Sequence, residues 1–324
     1  MNNLFNYTST NKINISIYCD EIKKEKDSIS GNYWDYIGLL LTPTTTEIET
    51  LQELEKHRCK RNLMNDAFIW KSCPNNCSYH NKNDKIVHYS ELDADKYHIA
   101  QRWYDYIISI NSTKKIFLYV TGINRSLLDS ESFGGSLNFN IVYNRFFRSA
   151  LIYAIKKFFG SKYKKIIVDK IIHEDGEQMA SEIFPWHPIY KIGKSFQNIT
   201  FIDEEIKFIS DDHKIDWSAN FIQLTDLFLG VVKNYFHNSS QKEHKIKITK
   251  KFLPLIERII QNPYNFRSSY NYYNRIDINF FPKKNLQFNN TDYSTFDELY
   301  KSILRTYYKD RTSDFINRQQ LPLF

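Results

Sequence analysis

The chain has 324 residues, long enough for one large domain or two ordinary ones, and 42% of them are hydrophobic, enough to bury a sizeable core. Only 9 Gly and 8 Pro exclude collagen-like and Pro/Gly-rich disordered chains, and an aromatic content of 16% argues against disorder in general. The formal net charge of +7 suits an anionic partner without requiring one. No uncharged apolar window is long enough to span a bilayer, and Met1-Asn2-Asn3-Leu4-Phe5 lacks the basic and apolar regions of a signal peptide. The expectation is a cytoplasmic protein with no membrane partner and with its 4 cysteines reduced.

Ile13, Ile15, Ile17 and Cys19 alternate with Asn14, Ser16, Tyr18 and Asp20, the period of a strand with one face in the core. A polar loop over 21–32 leads to a second strand over 33–41, its hairpin partner. Thr42-Pro43 stops that strand, and Thr46 followed three positions on by Glu49 is a capping box that opens a helix to about Lys60. The pattern then dissolves into an irregular insertion over about 57–84 that carries Cys59, Cys73, Cys77 and His80. Next come a short strand-like segment over 85–89, an amphipathic helix over 95–110, an apolar strand over 115–123 and a long helix over 137–159 stopped by Gly160. Ile166-Ile167-Val168-Asp169 has no polar alternation and reads as a central strand ending at Asp169. A strand over 199–203 and a helix over 217–236 complete an α/β domain spanning 1–240. Residues 241–324, with Lys242, Lys245, Lys247, Lys250 and Lys251, then an aromatic stretch over 270–281 and a last helix over 295–316, read as a mainly helical, basic C-terminal appendage.

The helix over 217–236 is apolar around most of its circumference, yet it holds Gln223 and Asp226, which share one small-and-polar stripe with Ala219 and Gly230. A carboxylate on a buried helix must meet a cation, a donor cluster or a cleft, or else face water after all. Asp20 and Asp169 each close an apolar strand, where open α/β sheets gather functional groups and where Asp also serves as an ordinary turn or cap residue. Carboxylates brought together repel unless something offsets them, and hard divalent cations do so.

Four segments carry a family resemblance. Asp20-Glu21 at the end of the first strand, His88-Tyr89-Ser90-Glu91-Leu92 before a helix, Val168-Asp169-Lys170 at a strand end, and Gln223-Leu224-Thr225-Asp226-Leu227-Phe228-Leu229-Gly230 on the late helix follow the order and spacing of motifs in domain-of-unknown-function family 3800. The chain resembles these uncharacterised ribonuclease H-like proteins over about 13–237. The resemblance implies a ribonuclease H-like mixed sheet flanked by helices. It also implies a cluster of metal-binding acids at Asp20, Glu91, Asp169 and Asp226, with Glu21, Lys170 and Gln223 of the same motifs as auxiliary residues. His213, in the polar loop before the late helix with Asp211, Asp212 and Asp216, reads as a solvent-exposed loop residue or, alternatively, as a proton shuttle at the site. The chain departs from the family at Ile22, where Ser is usual, and at Ile86, where an acid is frequent.

The chemistry so implied is phosphodiester hydrolysis with two Mg²⁺ or Mn²⁺ ions about 3.5–4 Å apart. Cys59, Cys73, Cys77 and His80 supply the ligand types of a closed structural zinc site, although their spacing matches no familiar finger and unliganded cytosolic cysteines are common. The lysine groups and Tyr270, Tyr272 and Tyr273 suit flanking phosphates and stacked bases, or equally a solvated face and a Tyr-rich core. The expected partner is DNA or RNA, alone or with a protein partner or a second copy. The reading is a metal-dependent nuclease in phage defence or a mobile element; the alternative is a non-catalytic binding or assembly subunit whose acid set has decayed.

Overall fold

The alternating N-terminal run forms β1 (Lys12–Lys26), which lies within a seven-stranded sheet. The computed structural model describes residues 11–27, 31–59, 85–109, 112, 114–133, 135, 137–237, 239–240, 242–261 and 275–281. β1 pairs antiparallel with β2 (Tyr33–Pro43), and β2 pairs antiparallel with β3 (Phe117–Asn124). On its other side β1 runs parallel to β4 (Lys165–Glu174), which pairs in parallel with β5 (Ile199–Phe201) and β6 (Lys207–Ile209). β7 (Ile276–Phe281) adds a parallel edge beside β3. Every strand therefore runs with β1 except β2.

Helices cover both faces. α1 (Thr44–Lys56), α2 (Ala94–Ile108), α5 (Ala219–His237) and α6 (Glu243–Gln261) bury their apolar sides with Tyr18, Tyr36, Leu40 and Val120 of the sheet. α3 (Phe139–Ile155) and α4 (His187–Ser195) cover the opposite face, against Ile15, Ile17, Cys19, Leu39 and Val168. The molecule is thus an α/β protein with a mixed sheet between two helical layers. α2 starts where Asp93 caps the Lys96 N–H at 2.8 Å, and α3 ends in a π-helical turn over 156–160 closed by Gly160.

Several elements differ from the sequence expectation; β1, for one, runs on to Lys26 where a polar loop was expected from residue 21. α1 starts at Thr44 with Pro43 at its cap, and Thr46 hydroxyl bonds back to the Pro43 carbonyl instead of forming a capping box. Residues 85–89 form no strand, the first four having no regular structure and Tyr89 lying in a bend. The chain beyond 240 packs into the same body: α6 lies on α2 and α5, and β7 extends the sheet because Ile276 and Ile278 alternate with Asp277 and Asn279. Tyr270, Tyr272, Tyr273 and the expected helix over 295–316 lie outside the described residues.

The decisive irregularity is in β4. Ile15 pairs with Val168 and Ser16 with Lys170, so Asp169 is an extra residue bulged out of the ladder. Because strand side chains alternate, that one residue exchanges the two faces downstream. Ile166 and Val168 face α3 before the bulge, whereas Ile172 faces α5 after it, and so does Glu174.

Candidate metal centre

β1 and β4 part company after the pairing of Cys19 with His173, while β1 continues along β2 to Lys26. Asp20 lies at this fork, opposite Gly38 of β2 and on the face covered by α5. Gly38 sets how close the helix comes: a Cβ there would lie 2.7 Å from Leu229 Cγ and 2.8 Å from Thr225 Cγ2. The close approach brings Asp226, the next residue along α5, over Asp20. Glu174, turned to the same face by the bulge, completes a group of three carboxyls from three elements.

Their electrostatics follow from crowding. Asp20 is only 2% exposed and accepts a 2.7 Å hydrogen bond from its neighbour's backbone, Glu21 N–H. Burial, the carboxyl–carboxyl hydrogen bond with Glu174, and the charges of Glu174, Asp226 and Glu21 together hold the Asp20 pKa well above the ordinary carboxylate range. The crowding disfavours a second negative charge at Asp20, and a bound cation would relieve it.

A cationic imidazole adjoins the carboxyls. His88 presents Nδ1 to Asp226 Oδ2 at 3.4 Å, and its Nε2 hydrogen-bonds Asp211 Oδ2. Hydrogen bonding and charge from Asp226, then from Asp211, outweigh the effect of burial and raise the His88 pKa to about 9. One donor atom each from His88, Glu174 and Asp211 lie within 4.8 Å of one another, a grouping able to hold a metal ion.

Gln223, one turn before Asp226 on α5, fastens the surrounding loops. Its Oε1 accepts from Val87 N–H at 2.9 Å, and its Nε2 donates to the Asp211 carbonyl at 2.7 Å. It thus pins the segments that carry His88 and Asp211. Arg58, fully buried, donates to Gln223 Oε1 at 2.5 Å, to Asn220 Oδ1 at 2.7 Å and to the Lys85 carbonyl at 2.7 Å, with its guanidinium 4.8 Å from the Trp103 ring centroid. Tyr89 N–H donates to Asp226 Oδ2 at 2.7 Å, and the Tyr89 ring lies against Gly230.

The remaining residues expected at the site lie elsewhere. Asp169, on the bulge, accepts from Asn14 Nδ2 and Thr44 Oγ1 at 2.7 Å each; five residues of strand, roughly 16 Å, separate it from Glu174. The structure brings Glu174, not Asp169, to Asp20, because the strand continues through the polar pair Asp169-Lys170 where an end was expected. Glu91 is 67% exposed and pairs with Lys96 at 3.0 Å; His88, three residues earlier in the same segment, reaches the carboxyls instead. Lys170 pairs with Glu47 at 2.7 Å, beside the Tyr18 ring. His213 is buried, not solvent-exposed, and its Nδ1 lies 3.3 Å from Gln223 Nε2.

Glu21 turns to the other face of the sheet, where it meets His173 at 3.0 Å, Lys23 at 2.9 Å and the Tyr143 hydroxyl at 3.3 Å. Burial raises its pKa, but His173 and Lys23 outweigh that and bring it below the usual value. Of the zinc candidates, Cys59 is buried, and Cys73, Cys77 and His80 lie outside the described residues.

The donor set fits a hard or borderline divalent cation: carboxylate oxygens suit Mg²⁺ and Mn²⁺, and the His88 imidazole favours transition metals such as Mn²⁺. The chain matches no family model and no curated protein.

Proposed function

We propose that this chain is a metal-dependent nuclease that hydrolyses phosphodiester bonds of DNA or RNA on a ribonuclease H-like fold. The observation that carries the reading is the convergence of Asp20, Glu174 and Asp226 from β1, β4 and α5 at the fork of the sheet, with His88 and Asp211 beside them. A mixed sheet flanked by helices is compatible with that fold.

Asp20, Glu174, Asp226 and Asp211 would hold the cations, with His88 as a nitrogen donor or as the local proton carrier. Divalent ions bound there supply Lewis-acid stabilisation of a phosphoryl oxygen and an acidified water as nucleophile. The side chains do the rest. Unneutralised, the carboxyls repel a phosphodiester; cations held by them would supply the charge that attracts its reacting phosphate. Gln223 and Arg58 hold the loops of His88 and Asp211 in register with α5. His88, charged at neutral pH between Asp211 and Asp226, keeps a proton where a leaving oxygen would need one.

A second reading, a non-catalytic binding subunit with a decayed site, is favoured by the placement of Glu91 and Asp169 outside the group and by Ile86 in place of an acid. Labelled single- and double-stranded DNA and RNA, incubated with Mg²⁺, Mn²⁺ or EDTA, separate the two. Metal-dependent cutting that disappears in Asp20→Asn/Asp226→Asn supports the nuclease. Intact strands under every condition, together with no Mn²⁺ binding by the wild type, would refute it.

A further inference from the structure

Five lysines lie at or near the start of α6, and two of them are paired. Lys247 pairs with Glu243 at 2.5 Å and Lys251 with Asp105 at 2.9 Å, both on the outer surface. Lys245 differs. It is 8% exposed, on the inward face of the helix one turn before the buried Thr249, and no carboxylate of the described residues lies within 4.0 Å of its ammonium. Its one close partner is the Tyr89 ring, whose centroid is 5.4 Å from Nζ.

Two physical costs attach to that placement. Partial desolvation of an ammonium that has no ion pair is unfavourable, and a cation–π contact offsets it only in part. A cation in the first helical turn also opposes the macrodipole. Nearby charge makes matters worse: burial first, then Lys242 and Lys233, push the Lys245 pKa down, while Asp226 and Glu25 act in the other direction from beyond pairing distance. Lys233 itself is engaged with Glu25 at 3.2 Å. A solvent-facing polar residue would avoid all of this.

Tyr89 connects Lys245 to the acids, since its N–H holds Asp226 and its ring carries the ammonium. The lysine thus stands beside the metal-binding group without neutralising it. We infer that Lys245 receives an oxygen of a backbone phosphate adjoining the scissile one, so that α6 holds the nucleic-acid strand against the site. Anionic substrate supplies the counter-charge that the protein omits, and Lys242 and Lys233 extend the positive rim. The inference rests on the nuclease reading of the acidic group and adds the element that grips the strand.

The test is anisotropy of labelled single- and double-stranded oligonucleotides between about 50 and 200 mM KCl, with strand integrity checked on a gel. Lys245→Met should bind roughly tenfold more weakly, and its plot of log affinity against log salt should be shallower by about 0.7 for single strands or 0.9 for duplex, the loss of one phosphate contact. Lys245→Arg should keep the wild-type slope, Lys247→Met should match the wild type, and Mn²⁺ affinity by calorimetry should be unchanged in all three. An unaltered slope in Lys245→Met, or a loss of Mn²⁺ affinity that accounts for the weaker binding, would overturn the inference and leave the nuclease reading standing. A wild type that binds no strand overturns both.

Discussion

Gly230→Ala probes the coupling between α5 packing and the site most directly. A Cβ at residue 230 would lie 2.1 Å from Tyr89 Cγ and 2.4 Å from both Cβ and Cδ1. Rotation about χ1 cannot relieve a contact with Cβ, so the Tyr89 backbone itself must move. That backbone carries the N–H held by Asp226 at 2.7 Å, and the hydroxyl at the far end of the ring bonds Thr249 Oγ1 at 3.1 Å. Overpacking costs about 1–3 kcal/mol, and loss of a hydrogen bond to a charged group about 1.5–3 kcal/mol. Against these, Ala gains about 1 kcal/mol of helix propensity. The net expectation is a loss of about 1.5–5 kcal/mol in urea unfolding, with weaker Mn²⁺ binding by calorimetry because His88 moves with its neighbour. In Gly230→Ala/Tyr89→Ala the clash is gone, so the pair should be more stable than the sum of the single effects by at least about 1 kcal/mol. Wild-type stability and Mn²⁺ affinity in Gly230→Ala, or strict additivity in the double variant, would refute the packing argument.

Asp20→Asn should stabilise the metal-free protein while abolishing Mn²⁺ binding. The folded-state pKa of Asp20 is raised above its unfolded value, so its contribution is full below the ordinary carboxylate range and is lost as pH rises through the folded value. In EDTA the wild type should therefore lose stability with rising pH by up to about 1.4 kcal/mol per unit for this one proton, and the variant should lack that component; identical pH profiles would count against a raised Asp20 carboxyl. Arg58→Met leaves Asn220 Oδ1 without its arginine donor and Gln223 Oε1 with Val87 N–H, and should cost about 1–3 kcal/mol in chemical denaturation, a loss below about 0.5 kcal/mol being the contrary result. Asp169→Asn should leave Mn²⁺ affinity within twofold of wild type, since its carboxylate is engaged by Asn14 and Thr44; a tenfold loss would place Asp169 back at the centre.

Period and composition in the sequence made β1, β2, β3 and the long α5 legible, because a regular element repeats its burial every 2 or 3.6 residues. The same logic singled out Asp20, Gln223 and Asp226: a polar group inside an apolar pattern needs a partner, and each has one. Glu174 escaped because Asp169-Lys170 looks like a strand terminus, and only pairing with β1 shows two polar residues absorbed by an irregular ladder. His88 was on the page within its motif, but chemical type drew attention to the acid Glu91, and nothing local distinguishes a solvent-facing Glu from a His turned inward. Arg58 gives even less warning, since an arginine at the end of a surface helix is ordinary until Trp103, Asn220 and Gln223 are seen around it.

The bulge in β4 makes residue 169 matter by arithmetic more than by chemistry. Any side chain that still permits the bulge leaves Glu174 beside Asp20, whereas drawing residue 169 into the ladder opposite Ser16 would restore perfect alternation and deliver His173 in its place. The sheet would be more regular, the composition nearly unaltered and the acidic group dismantled. Parity along a single strand, an odd or even count of residues between Val168 and the fork, thus decides which face of the molecule bears its charge.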